Sequence, residues 1–152
     1  MTRNTLHKLV SGSILMLLPL MVQAQIALKN WTIEDHSGEV KIIVSGDTLE
    51  ITAPKGLTLW YNQRLTGDYE ISYRVKMLMQ GGKYDRLSDL NCFWGANDPE
   101  HPGNLFARSE WRNGIFQHYK TLSLFYVGYG GNHNSTTRFR QYFAKRRIPV
   151  MQ

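Results

Sequence analysis

Two short runs hold most of the side chains that could do chemistry. The first, residues 81–98, sets Asp85, Arg86, Asp89, Asn91 and Trp94 behind a Gly81-Gly82 turn; the second, residues 126–140, carries Tyr126, Tyr129, Asn132, His133, Asn134, Arg138 and Arg140. Sugars are gripped by planar polar groups, which satisfy hydroxyls, and by flat rings, which lie on C–H faces. Asp85, Arg86, Asp89, Asn91, Asn132, Asn134, Arg138 and Arg140 offer the polar groups; Trp60, Tyr61, Trp94, Trp111, Tyr126 and Tyr129 offer rings. Arg138 and Arg140, two apart on a strand, point the same way and can fork a uronate carboxylate. Salt bridges from the arginines to Asp85 or Asp89 are the equal alternative, as are carboxylates at Asp85 and Asp89 that merely cap backbone N–H groups of a turn.

Elimination from a uronate needs a base, a proton donor and a cation to neutralise the carboxylate, and Tyr129, His133 and Arg138 are the candidates for those roles. Hydrolysis needs a carboxylate pair flanking the scissile bond. No His-Glu-x-x-His or Cys-x-x-Cys occurs, and His36, His101, His118 and His133 lack paired ligand spacing, so neither a metal nor another cofactor is expected. Cys92 is the only cysteine, which excludes an internal disulfide. Between Asn91 and Phe93 it reads as a small buried hydrophobe rather than a nucleophile.

Those runs need a frame. The chain of 152 residues opens with Arg3 and Lys8, an apolar stretch from Leu9 to Met21 and a permissive Val22-Gln23-Ala24. That is the pattern of a secretory leader over residues 1–24. It is too short, and too interrupted by Pro19, for a stable membrane anchor. Residues 25–152 then suit one domain, exported to the periplasm or the exterior. The formal net charge of +6 includes Arg3 and Lys8, and much of the remainder sits in Arg138, Arg140, Lys145, Arg146 and Arg147. An exported chain whose cations line no helix or aromatic platform is not expected to bind nucleic acid.

Alternation marks the strands. Val40, Ile42 and Val44 answer Leu49, Ile51 and Ala53 across Ser45-Gly46-Asp47, a hairpin, and Leu57, Leu59 and Tyr61 begin another strand. The longest period-2 stretch sets Tyr69, Ile71, Tyr73, Val75, Met77 and Met79 against Glu70, Ser72, Arg74 and Lys76, a strand with one dry face. Leu90, Cys92 and Trp94 share a face opposite Asn91 and Phe93. Residues 105–119 are aperiodic, an excursion with room for a short helix. A strand over 123–129 turns at 130–134 and returns over 136–143. There Thr136, Arg138, Arg140 and Tyr142 fall opposite Phe139 and Phe143, which predicts a polar face backed by core phenylalanines. Short strands and glycine-rich turns with no long amphipathic helix predict an all-β antiparallel sandwich.

The two runs together, Gly81-Gly82 through Asp85-Arg86, Ser88-Asp89 and Asn91-Cys92-Phe93-Trp94, then Tyr126 through Asn132, Asn134 and Thr136-Thr137-Arg138-Phe139-Arg140, resemble a family of exported bacterial domains of unassigned function found beside polysaccharide-degrading enzymes. The resemblance runs from about Trp31 to about Phe143. It implies a concanavalin A-like, two-sheet jelly roll whose hollow face takes a polysaccharide or oligosaccharide, uronate-containing ones included. Related jelly-roll glucanases carry a Glu-x-Asp-x-x-Glu strand; the stretches at Glu50 and Glu70 lack its aspartate. Family members continue beyond the point where this chain ends in residues 144–152, so a partial, C-terminally truncated jelly roll is expected. Three readings stay open: a carbohydrate-binding domain, a lyase or glycoside hydrolase using the same face, and a structural sandwich or inactive fragment.

Overall fold

The computed structural model describes residues 26–87, 90–144 and 146–151. The expected leader, residues 1–24, lies outside the described residues, as do Ser88 and Asp89. The chain is all-β with antiparallel pairing throughout, as the alternation predicts. Strand β1 (Trp31–Glu34) pairs with β4 (Thr58–Tyr61) and β2 (Lys41–Ser45) with β3 (Thr48–Thr52). Strands β5 (Leu90–Asn97), β6 (Ser123–Gly130), β7 (Thr136–Phe143) and β8 (Arg146–Met151) form a four-stranded sheet in that order. The hairpin read from residues 40–53 is β2–β3, with Ile42 opposite Ile51 and Val44 opposite Leu49. No helix among the described residues is long and apolar enough to cross a membrane.

The core is aromatic and small. Trp60 from β4, Leu124 and Tyr126 from β6 and Tyr142 from β7 are buried together with Tyr119 and Leu122, and Phe93 of β5 packs against them. Trp60 stacks on Phe93 at 5.6 Å between ring centroids, and Tyr126 meets Tyr142 edge-on at 5.9 Å. Each such side chain removed from water stabilises the fold by about 1.5–3 kcal/mol. Tyr119 and Leu122 arrive on the excursion between β5 and β6, where 3-10 turns at Leu105–Arg108 and Phe116–Thr121 flank one helical turn, α1 (Ser109–Arg112). The excursion that the aperiodic residues predict is therefore a lid over one face of the sheet rather than a loose loop.

Two arginines hold that lid. Arg112, fully buried, donates to Glu34 at the end of β1 through Nη2 (2.8 Å) and Nε (3.2 Å), and Ser109 Oγ donates to the same carboxylate at 2.7 Å. The Tyr119 hydroxyl donates to its other oxygen. Burial, and then the Glu34 carboxylate, raise the Tyr119 pKa, so the phenol stays a neutral donor. Gly114 follows α1 with φ 74°, and a Cβ there would meet the Glu34 carbonyl oxygen at 2.6 Å, so only glycine lets the excursion approach β1 this closely. Further out, Arg108 clasps buried Asp98 with Nε at 2.8 Å and Nη2 at 2.7 Å, and reaches Glu100 at 2.6 Å. This fixes the turn after β5.

Two expectations are corrected. Residues 69–79, the longest alternating stretch, form no ladder: their backbone runs without regular pairing, and Tyr69, Ile71, Tyr73, Val75, Met77 and Met79 are all between 36% and 54% exposed. Alternation records which side chains share a face; it does not supply a partner edge. The sequence pattern predicts no strand after Phe143, yet Arg146–Met151 form β8, with Gln141 opposite Ile148 and Arg140 opposite Pro149. Proline is tolerated there because β8 is the outer strand of its sheet.

Candidate functional site

Register sorts the chemistry-bearing residues onto two faces. Across the sheet Asn91 lies opposite Gly128 and Gly128 opposite Arg138; one pair further along, Phe93 lies opposite Tyr126 and Tyr126 opposite Arg140. Directly opposed residues share a face, so Asn91, Phe93, Tyr126, Arg138, Arg140 and Tyr142 form one side, the side that the excursion covers in part. Leu90, Cys92, Trp94, Phe125, Val127, Tyr129 and Phe139 form the other. The polar-versus-core division expected for β7 is therefore corrected. Tyr142, on the arginine face, is buried at 7% exposure, whereas Phe143 on the other is 44% exposed.

Tyr126 organises the first face. Its ring lies along β6 over Gly128, where a Cβ would sit 1.9 Å from the Tyr126 hydroxyl, so the missing side chain is the space the phenol fills. The hydroxyl donates to Asn91 Oδ1 at 2.9 Å, and the Arg140 guanidinium carbon stands 5.9 Å from the ring centroid. With its carbonyl end engaged, Asn91 keeps its amide N–H pair as the donor end of the side chain. Arg138 and Arg140 are half-buried, and among the described residues neither has a carboxylate within ion-pair distance. Two strand spacings put the Asn91 and Arg138 backbones roughly 10 Å apart. The Asn91–Arg138 end of this face carries donors and positive charge. What satisfies it is an acceptor: a carboxylate, a sulfate or ring hydroxyls.

Next to it, Phe93, Phe116, Tyr119, Lys120, Leu124 and Tyr142 line a cleft of ≈ 10 Å³, which admits about one water. A sugar ring does not enter it, so a glycan would lie across the face.

The remaining predicted residues are placed elsewhere. Asp85 caps its own turn: Oδ2 accepts from the backbone N–H of Gln80, of Gly81 (2.8 Å) and of Gly82 (3.1 Å). Those bonds, led by that of Gln80, hold its carboxyl below the usual value. The expected alternative of an Asp85 bridge to the arginines is not formed. Arg86 is exposed on the same turn, and Asp89 is outside the described residues. Trp94 is turned to the opposite face, stacked on Phe125 at 5.6 Å and on Phe139 at 5.5 Å. Asn132, His133 and Asn134 form an exposed left-handed turn between β6 and β7, with φ of 51°, 58° and 64°. Tyr129 is on the Trp94 face and Arg138 on the Tyr126 face, so the base, donor and cation suggested for elimination do not converge. Burial pushes the Cys92 thiol pKa up, although the Tyr73 hydroxyl beside it works the other way. A raised thiol pKa lowers the thiolate fraction available for nucleophilic attack.

Sequence reasoning did not find Glu34, Arg112 or Gly128. The ion pair spans 78 positions and has no local pattern. Gly128 did carry a signal, as the first of three glycines in the Gly-Tyr-Gly-Gly run, set between the strand formers Val127 and Tyr129.

An all-β antiparallel domain with a donor-rich, partly lidded sheet face is the class that fold and geometry define. Residues 51–152 match a family model described as Domain of unknown function (DUF6250), and the chain belongs to that family. The matched span runs from β3 to the end of the chain and takes in both runs and the whole four-stranded sheet. No curated protein and no solved structure matches the chain.

Proposed function

We propose that this chain is an exported carbohydrate-binding domain, related to concanavalin A-like jelly rolls, whose Asn91–Tyr126–Arg138–Arg140 face takes an acidic polysaccharide or oligosaccharide such as one containing uronate. The observation that carries the reading is the pair of half-buried arginines, Arg138 and Arg140, sharing one face without a carboxylate partner among the described residues. Holding cations out of bulk water without a counter-charge is costly, and a bound anion offsets that cost. Arg138 supplies the fork and the Asn91 amide the neighbouring donor. Arg140, anchored over the Tyr126 ring, adds field and orientation.

The test is calorimetric titration of the mature chain with oligogalacturonate, neutral galactan and cellulose fragments, assaying the same mixtures for reducing ends and for unsaturated products by ultraviolet absorbance. Binding of the acidic oligomer alone, without product, is expected. Binding that weakens as salt is raised follows from the same charge argument. Equal affinity for neutral and acidic glycans, or none for either, rules the reading out, and product formation restores the lyase or hydrolase reading.

A further inference from the structure

Residues 69–79 and the outer edge of β5 are each half of an unfinished ladder. In the four-stranded sheet β5 pairs only with β6, which leaves its other edge of N–H and C=O groups unpaired among the described residues. Such an edge is a template for an added strand. Residues 69–79 precede β5 in the chain and have strand alternation, free backbone groups and one apolar stripe left half-exposed. The turn between them is already organised by Asp85, which gathers three backbone N–H groups. The two stretches also sense one another: burial, and then the Cys92 thiol, raise the Tyr73 pKa, while the Tyr73 hydroxyl lowers that of Cys92 against the effect of burial.

We infer that residues 69–79 close onto the free edge of β5 as a fifth antiparallel strand, with Tyr73 opposite Cys92 and Arg74 opposite Asn91, which carries Arg74 onto the glycan face. The assignment of faces follows from parity. Opposed residues share a side, so Tyr73 beside Cys92 puts Ile71, Tyr73 and Val75 with Leu90, Cys92 and Trp94, apolar on apolar. Ser72 and Arg74 then fall with Phe93 and Asn91. A shift of two residues in either direction keeps these sides; only an odd shift would turn the apolar stripe to water. Closing the strand extends the row to Arg74, Asn91, Gly128 and Arg138, so that a guanidinium stands at each end, three strand spacings or roughly 14 Å apart. A site of that span fits two acidic units of one glycan chain rather than a lone uronate. The role given to Arg74 rests on the carbohydrate reading of this face, whereas the strand closure does not.

Two measurements on the full mature chain test the closure. Hydrogen exchange of the unmodified protein should show alternate amides between Ile71 and Val75 exchanging at least tenfold more slowly than an unstructured peptide. Under mild oxidation the Tyr73→Cys variant, whose only other thiol is Cys92, should form a disulfide within one chain. Unprotected amides throughout 69–79 overturn the inference whether or not the variant folds. A disulfide found only between two chains overturns it too, because the β5 edge then belongs to a second copy. If the unmodified protein binds oligogalacturonate, Arg74→Ala should weaken binding of a longer oligomer about tenfold and of the monouronate little; equal affinity for both variants removes Arg74 from the site. Protection of 69–79 in a protein that binds no glycan would discard the carbohydrate reading and leave the strand in place.

Discussion

Replacing Glu34 by alanine should be strongly destabilising. Glu34 is 2% exposed and Arg112 fully buried, and the carboxylate accepts hydrogen bonds from Arg112, Ser109 and Tyr119 at once. One Arg112 nitrogen, Nη1, already lacks a hydrogen-bond partner among the described residues. Without Glu34 the whole guanidinium is buried with no counter-charge, which costs about 3–5 kcal/mol. A domain of this size has a total stability of roughly 5–15 kcal/mol, so the variant should be marginal. In urea, with a slope of about 2 kcal/mol per molar, the midpoint should fall by roughly 2 M. The double change Glu34→Leu with Arg112→Met, which removes both charges and keeps volume, should lose less than Glu34→Ala alone. A midpoint within about 0.5 M of the parent for Glu34→Ala, or a double variant worse than the single, would refute the claim that this pair ties the lid to β1.

Other outcomes follow from the same geometry. Gly128→Ala must displace the Tyr126 ring and its bond to Asn91; overpacking of that kind costs about 1–3 kcal/mol, seen as a drop in melting temperature together with lost glycan affinity. Trp94 is half-buried, so Trp94→Ala should lower stability by about 1.5–3 kcal/mol through its contacts with Phe125 and Phe139, yet leave the affinity of the surviving folded protein unchanged, because it is on the far face. Burial pushes the Asp98 carboxyl up, but Arg108, the Glu100 N–H and His101 outweigh it and hold the pKa below its ordinary 3.8. A depressed folded value means stability that is full above the ordinary carboxylate value and lost as pH falls through the folded one. Acid unfolding below about pH 4 should therefore be shallower in Asp98→Asn than in the parent, measured by circular dichroism at a series of pH values.

Much of the frame was legible because it is written in period 2. The β2–β3 hairpin, the strands at 90–97, 123–130 and 136–143, and the grouping of Asn91 with Phe93 and of Arg138 with Arg140 all follow from alternation and glycine turns. Which face meets the core did not follow. Aromatic residues stand on both sides of β7, and the lid that decides between them comes from residues 105–121, whose short 3-10 turns leave no period. The Glu34–Arg112 pair was invisible for a similar reason: its two halves belong to elements with no sequence relation. Residues 69–79 show the converse, a pattern that fixes a face while its pairing depends on an edge elsewhere. β8 was overlooked because two arginines and a proline interrupt the alternation of a six-residue strand.

The central claim is that the arginine face binds the carboxylate of a glycan. Calorimetry on a two-by-two set, parent and Arg138→Ala against oligogalacturonate and its carboxyl-reduced form, tests it most directly. Charged hydrogen bonds of this kind are worth about 1.5–3 kcal/mol, so either change alone should weaken binding roughly tenfold to a hundredfold, and both together should do little more than one. Independent, additive losses, or an Arg138→Ala variant as tight as the parent, would contradict it.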